Sequence, residues 1–314
     1  MNARELTPDL RQLADQGIFL GTSSWKYPGW VGQLYTAERY NYRGKVAKSR
    51  FEKNCLDEYA EVFPSVCVDA SFYRFPTARY LQGLADQVPD GFRFSHKVTD
   101  AITIKHFPRH RRHGEFAGKD NPHFLDANLF LQSFLKPLEP HHEKTGIIMF
   151  EFSQFYQPDY EHGREFVNDL DTFLGQLPTD EWDFGVEIRN AGFLEGPYFE
   201  TLARHQVGHV YNQWQRMPSL AEQIELCEPN RDLAPVGSRL LLKCGRDYKT
   251  AVESFEPYDR IQEEQSEVRR AAAGFLSKLA EKPKGRRSYV YVNNRLEGNA
   301  LATIAAILNL LSGT

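Results

Sequence analysis

The chain has 314 residues, 41% of them hydrophobic, which suffices for one large domain or two small ones. Its 38 lysines and arginines nearly balance 42 aspartates and glutamates, a net charge of −4, so bulk charge gives no reason to expect nonspecific binding to nucleic acid or to an anionic membrane. No run approaches the ~18 uninterrupted apolar residues of a membrane span, and the opening MNARELTPDLRQLADQG lacks the apolar stretch of a signal peptide, so the expected setting is cytoplasmic with no membrane partner.

Eight short runs rich in β-branched and aromatic residues follow one another, each closed by a polar break. In chain order they are Gly17 to Thr22, Ser65 to Ala70, Phe92 to Lys97, Gly146 to Phe152, Phe184 to Arg189, Val207 to Asn212, Arg239 to Cys244 and Ser288 to Asn294. Between them, helical spacing of apolar residues marks Cys55 to Phe63, Thr77 to Gln87, Glu165 to Leu177, Glu263 to Lys282 and Ala300 to Leu311. This alternation predicts an α/β fold, a (β/α)8 TIM-type barrel, as a single domain over residues 1–314. Ser23 to Asn54, Val98 to Pro140 and Gln213 to Ser238 are too long for simple connections, which puts long loops after strands one, three and six. Cys55, Cys67, Cys227 and Cys244 form no C-x-x-C pair, which argues against a zinc ribbon or a redox dithiol.

Enzymes with this fold build their sites at the carboxyl ends of the strands, and here those ends are polar. They carry Ser24 and Trp25, then Asp69, Tyr73 and Arg74, then Lys97, Glu151, Glu187 with Arg189, Asn212, Arg246, and finally Asn293 and Asn294. One explanation is a mouth holding an anionic or polyhydroxylated ligand, with Lys97, Arg189 and Arg246 as cations and Asp69, Glu151 and Glu187 as acid or base candidates. The other is a set of ion pairs that ties neighbouring strands together. Glu187 and Arg189, two apart on one strand, point to the same side, so the arginine can hold either the glutamate or a substrate anion. Lys97 would serve as a Schiff-base nucleophile only if burial lowered its pKa; as a plain cation it needs no such shift. On the functional reading Lys97, Glu187 and Asp69 are catalytic, and Ser24, Trp25, Tyr73, Arg74, Arg189, Asn212, Arg246, Asn293 and Asn294 bind substrate.

The segment from Lys105 to Phe124 sets His106, His110, His113 and His123 beside Arg109, Arg111 and Arg112. Metal binding is disfavoured, because Pro108 breaks the helix that would align His106 with His110 and the arginines repel a cation. Arginine interleaved with Phe107 and Phe116 suits contact with phosphates or nucleic acid, against the plainer reading of a solvated loop. Trp25, Tyr27, Trp30, Tyr35, Phe72 and Tyr73 cluster at two adjacent strand ends, where packing of the mouth is expected ahead of stacking on a ligand. There is no Gly-x-Gly-x-x-Gly, Walker or G-x-S-x-G motif, so no cofactor is assigned.

GTSSWKYPGWVGQLYT from Gly21, DASFYRFPT from Asp69, FRFSHK ending at Lys97, FGVEIRNAGF from Phe184 and YVYVNNRLEGNA from Tyr289 together resemble the domain of unknown function 72 family, the YecE-like proteins. The resemblance implies a TIM-type barrel with no established activity. It carries Ser24, Trp25, Phe72 to Arg74, Lys97, Glu187, Arg189 and Asn294 as recurrent polar positions. The chain departs from the family pattern at three places: at Cys67 and Asp69, where relatives have a glutamate and an asparagine; at Glu151 and Ser153, where they have glutamine and proline; and at Lys243 to Gly245. Two functions follow as expectations. One is a hydrolase, lyase or isomerase acting on a phosphorylated, carboxylated or sugar-like substrate at the barrel mouth. The alternative is a noncatalytic module that binds nucleic acid or protein through the basic loop at residues 105–124.

Overall fold

The structure is a computed structural model that describes residues 2–156, 159–227, 235–281 and 287–313. Eight parallel strands close a barrel: β1 (Ile18–Thr22), β2 (Ser65–Val68), β3 (Arg93–Lys97), β4 (Thr145–Phe152), β5 (Phe184–Ile188), β6 (Gly208–Gln213), β7 (Val236–Leu240) and β8 (Ser288–Val292). Each pairs with its sequence neighbours, and β8 returns to β1 through the register Ile18 to Ser288 and Thr22 to Val292. Helices on the outside and side chains on the inside bury both faces, which is why these strands read as near-continuous apolar runs.

Two apolar layers result. Ile18, Leu20, Val66, Phe94, Ile148, Phe150, Phe184, Val186 and Val290 face the helices in the large outer core. On the alternate positions, Phe19, Cys67, Ile147, Met149, Val210, Tyr289 and Tyr291 fill the lumen. Gly185 and Gly237 belong to that inner set; a Cβ on Gly185 would lie 2.6 Å from Ile147 Cδ1 and 2.7 Å from Val210 Cγ2, so their lack of a side chain makes room for both neighbours. The lumen's phenols are bonded, Tyr291 to Ser65 and Ser95 and Tyr289 to Asp183.

The helices agree with the apolar spacing, at Lys48–Val62, Ala78–Ala85, Gly163–Leu174, Ser266–Ala280 and Ala300–Ser312. Thr77, Asp247 and Asn299 cap helix starts by accepting from the amides of Tyr80, Thr250 and Ala302. The long connections expected after β1 and β3 are present and carry short helices and turns, with a two-stranded ribbon, Asn41–Tyr42 with Lys45–Val46, in the first; of the one expected after β6, residues 228–234 lie outside the described residues. Trp30, Tyr35, Tyr40 and Phe51 pack there, largely edge to face, as a buried aromatic group; of the rings expected to pack the mouth, Trp25, Trp30, Tyr35 and Phe72 are buried, whereas Tyr73 is exposed.

β7 differs from the sequence expectation. It begins at Val236, three residues ahead of Arg239, and ends at Leu240. The apolar run Leu240 to Leu242 suggested a later strand, but Leu241 and Leu242 leave the barrel to pack with Ala251. Gly237 pairs with Val210 and Tyr289, so the ladder starts on small residues that read as loop. The shift moves Arg239 from the base of a strand to its carboxyl end.

Candidate active site

Continuing the inward alternation upward from the apolar lumen layer gives Asp69 after Cys67, Lys97 after Ser95, Glu151 after Met149, Glu187 after Gly185, Asn212 after Val210 and Arg239 after Gly237. The register places Glu151 opposite Glu187 and Asn212 opposite Arg239. The carboxyl end of the lumen is therefore a polar layer on an apolar one.

Its centre is Glu151, 3% exposed. Glu151 Oε2 lies 2.5 Å from Arg239 Nη1, 2.9 Å from Lys97 Nζ and 3.0 Å from Arg189 Nη2. Arg239 Nη1 also donates to Glu187 Oε2 at 2.6 Å, while Arg189 approaches Glu187 Oε1 at 3.3 Å. Asp69 closes the group, with Oδ1 3.7 Å from Lys97 Nζ and 3.6 Å from Arg239 Nη2. Three carboxylates thus face three cations. Burial by itself would raise the pKa of Glu151, but Arg189, Lys97 and Arg239 outweigh it and hold the carboxyl well below the ordinary carboxylate range. Burial works against Arg239's charge as well, and Glu187 and Glu151 raise its pKa well above the usual arginine value.

The six groups are not equivalent. Glu187 is fully buried and Arg239 is 3% exposed, whereas the side chain of Asp69 keeps 36% of its surface. Asp69 occupies the N-cap position of a short helix, Ala70–Tyr73, yet its side chain does not cap it. The carboxylate turns to the cluster instead, and Oδ1 receives no hydrogen bond. Lys97 Nζ rests 4.0 Å from the Phe72 ring and the Arg189 guanidinium 4.1 Å from Trp214, so aromatic faces hold both cations in place. Below them, burial pushes the Cys67 thiol up to about 12, which makes it packing rather than a nucleophile.

Of the sequence candidates, the barrel brings together Asp69, Lys97, Glu151, Glu187 and Arg189. Asn212 borders the layer; its amide donates to Ile188 O at 3.0 Å and its Oδ1 has no partner. The others have local duties or lie apart. Arg246 pairs with Glu263 and donates to Leu296 O, Asn293 accepts from the Arg295 amide at 2.9 Å, and Asn294 accepts from the Ala300 amide at 2.7 Å. The Ser24 carbonyl accepts from Thr22 Oγ1 at 2.7 Å, and Trp25 is buried at the side of the mouth. Tyr73 and Arg74 are exposed beyond the second strand. Arg239 is the residue the sequence reading missed.

In the basic segment, Arg112 pairs with Asp100 at 2.6 Å and lies 5.0 Å over the Tyr73 ring, while Arg109 and Arg111 stay exposed. His106 is bonded to Asp120 and His123 to Asp126, both at 2.9 Å, so two of the four histidines brace the segment. Among the described residues, no group of three or more His, Cys, Asp or Glu side chains is arranged to hold a metal ion, and no helix is long and apolar enough to cross a membrane.

Fold and mouth together define a β/α barrel with a charge-paired site at the carboxyl ends of its strands. The chain belongs to the family described as protein of unknown function DUF72, whose model matches residues 19–314. It is similar to a crystal structure of a DUF72 family protein from Enterococcus faecalis V583, with 16% identity, 94% of this chain and 95% of that one covered, and a TM-score of 0.61. A DUF72 family protein from Thermotoga maritima MSB8 matches at 17% identity, 94% and 98% coverage and a TM-score of 0.59. At these identities the likeness shows the fold. No curated protein matches the chain.

Proposed function

We propose that the chain is an enzyme whose barrel mouth carries out proton transfer on a small polar substrate, phosphorylated, carboxylated or sugar-like, with Asp69 as general base. The observation that carries this reading is the Asp69 carboxylate, the most exposed acid of the cluster, with 36% of its side chain accessible, which caps no helix amide and instead sets Oδ1 beside Lys97 and Arg239. Lys97 and Arg189 then stand where negative charge develops on the substrate, and their aromatic supports keep them pre-positioned. Glu151 and Glu187 orient these cations, and Arg239 fixes the two glutamates; Glu187, fully buried, positions rather than transfers a proton. A hydrolase, a lyase or an isomerase can use this set.

The test is a turnover screen over phosphorylated, carboxylated and sugar substrates, repeated with Asp69→Asn and Lys97→Met. Loss of a general base lowers kcat by roughly 10²–10⁴-fold. Full turnover by Asp69→Asn, in protein whose melting curve matches wild type, would sink the assignment. The alternative, a binding module built on the segment at residues 105–124, draws support from exposed Arg109 and Arg111, but Arg112 is committed to Asp100. It predicts oligonucleotide binding that falls steeply with salt and is lost when Arg109 and Arg111 are neutralised.

A further inference from the structure

The cations of the mouth are matched one for one by its carboxylates, so a substrate anion finds no unpaired charge there. Unmatched cations lie next door. A cleft of about 310 Å³ starts at Ala70 and Ser71, the residues that follow Asp69, and passes Arg74 to reach Thr77 and Tyr80. A second, of about 420 Å³, shares Thr77 and Tyr80 and has Trp25, Lys26, Lys53 and Arg79 in its walls. Both fall within the ~300–1,000 Å³ typical of small-molecule sites.

Four cations, Lys26, Lys53, Arg74 and Arg79, line the two clefts against one carboxylate, Glu52, which lies 3.8 Å from Lys48. Among the described residues none of the four is in an ion pair. A second observation is independent of charge: Trp25, which lines the cleft, is 5% exposed, and its buried indole N–H has no acceptor. A buried donor without an acceptor is costly, which marks this wall of the cleft as a place where the fold leaves polar capacity unused. Thr77, common to both clefts, heads the helix Ala78–Ala85, whose first amides carry the positive end of the helix dipole.

We infer that these adjoining clefts are the seat of a phosphate group, and that the substrate is a phosphate-bearing small molecule whose reacting end lies at Asp69. This rests on the proton-transfer reading of the mouth for the placement of the reacting end, but the phosphate seat stands on the cleft alone. Four unmatched cations favour a multiply charged anion over a carboxylate. It also gives a role to the segments that carry the family resemblance, since Trp25 and Lys26 belong to GTSSWK and Arg74 and Thr77 to FYRFPT.

The experiment is calorimetric titration of the full chain with tripolyphosphate, inorganic phosphate and a short oligothymidylate, in wild type, Lys53→Gln/Arg79→Gln, Arg74→Gln, Asp69→Asn and Lys97→Met. Lys53, Arg74 and Arg79 are exposed, so these variants do not depend on repacking. The expected result is tripolyphosphate binding that weakens at least ~10-fold in the double variant and persists in Asp69→Asn. Equal binding by the double variant and by Arg74→Gln, or no binding of either phosphate probe to wild type, overturns the inference. Binding lost in Lys97→Met but kept in the double variant moves the anion to the mouth, which overturns the cleft while leaving the mouth as the site. Turnover retained by Asp69→Asn with cleft binding intact does the reverse. Oligothymidylate bound where tripolyphosphate is not overturns the small-molecule assignment.

Discussion

The lumen of this barrel is two regions built by one rule. Below, the inward positions carry Phe19, Cys67, Ile147, Met149, Val210, Tyr289 and Tyr291, a plug with hydrogen-bonded phenols and glycines cut to its shape. One inward step nearer the carboxyl ends, the charged positions are Asp69, Lys97, Glu151, Glu187 and Arg239, two residues after Cys67, Ser95, Met149, Gly185 and Gly237. Glu151, Glu187 and Arg239 are as buried as the plug, while Asp69, at the N-cap just past its strand, keeps 36% of its side-chain surface. Apolar filling there would serve stability as well, since replacing a buried ion cluster by packed hydrophobes is often neutral or stabilising. Stability alone therefore does not account for a fully paired cluster at this end of the barrel; on the proposed proton-transfer reading, the plug beneath it is the rigid floor of the site.

The comparison breaks most visibly if one charge is taken away. Arg239→Met strands Glu151 and Glu187 together without their shared cation, and urea unfolding is expected to show a loss toward about 5 kcal/mol, the upper end for a broken buried pair. Adding Glu187→Gln should recover part of that loss, because it removes one stranded charge; additive losses would mean the two residues are not coupled. In the plug, Met149→Ala leaves a cavity among apolar neighbours and is expected to cost about 3 kcal/mol by the same measurement. That variant, once folded, keeps the mouth's charges and should keep its ligand binding. Loss of binding beyond the loss of folded protein would show that the two regions are not separable.

Most of this arrangement was readable in the chain, and the part that was not has a specific cause. Eight runs with polar endings gave the barrel, and spacing two placed Glu187 with Arg189 on one face. Asp69 and Glu151 stand where the chain departs from its family pattern, and both are in the cluster, which resemblance alone would have set aside. Arg239 escaped because Leu240 to Leu242 is the more apolar run and drew the strand downstream. The available signal was the repeat of one pattern: Gly185 stands two before Glu187 and Gly237 two before Arg239, each glycine in the plug layer below a charge. Which carboxylate meets which cation lies across strands, beyond what periodicity along one strand encodes. The neutrality of the cluster, and with it the reason to seek the anion seat elsewhere, therefore needed the fold.

The smallest expected effect concerns ionisable groups on the outer wall, where the opposite solution is found. His96 and His209 are buried between strand and helix without a carboxylate partner; burial, aided at His96 by His141, lowers their pKa values to about 3 and about 4, so each is neutral in the fold. Tyr198 Oη contacts His209 Nδ1 at 3.0 Å. Unfolded, both titrate near the ordinary 6.5, so the unfolded chain binds more protons as acid is added. Their contribution is therefore present above pH 6.5 and is lost as pH falls toward about 4 for His209 and about 3 for His96, by up to about 1.4 kcal/mol per pH unit for each. Between pH 6.5 and 5.5 the expected loss is about 1 kcal/mol per histidine. Glu151, held ionised, has the same sign but acts lower, since its stabilisation stays until pH drops below the ordinary carboxylate value of 4.5. Unfolding curves at pH 7.0 and 5.5 for wild type and His209→Gln separate the two. A shallower pH dependence in the variant places the early acid loss on the wall, whereas an unchanged slope there, with Glu151→Gln flattening it, would make the mouth the acid-sensitive region and reverse the comparison.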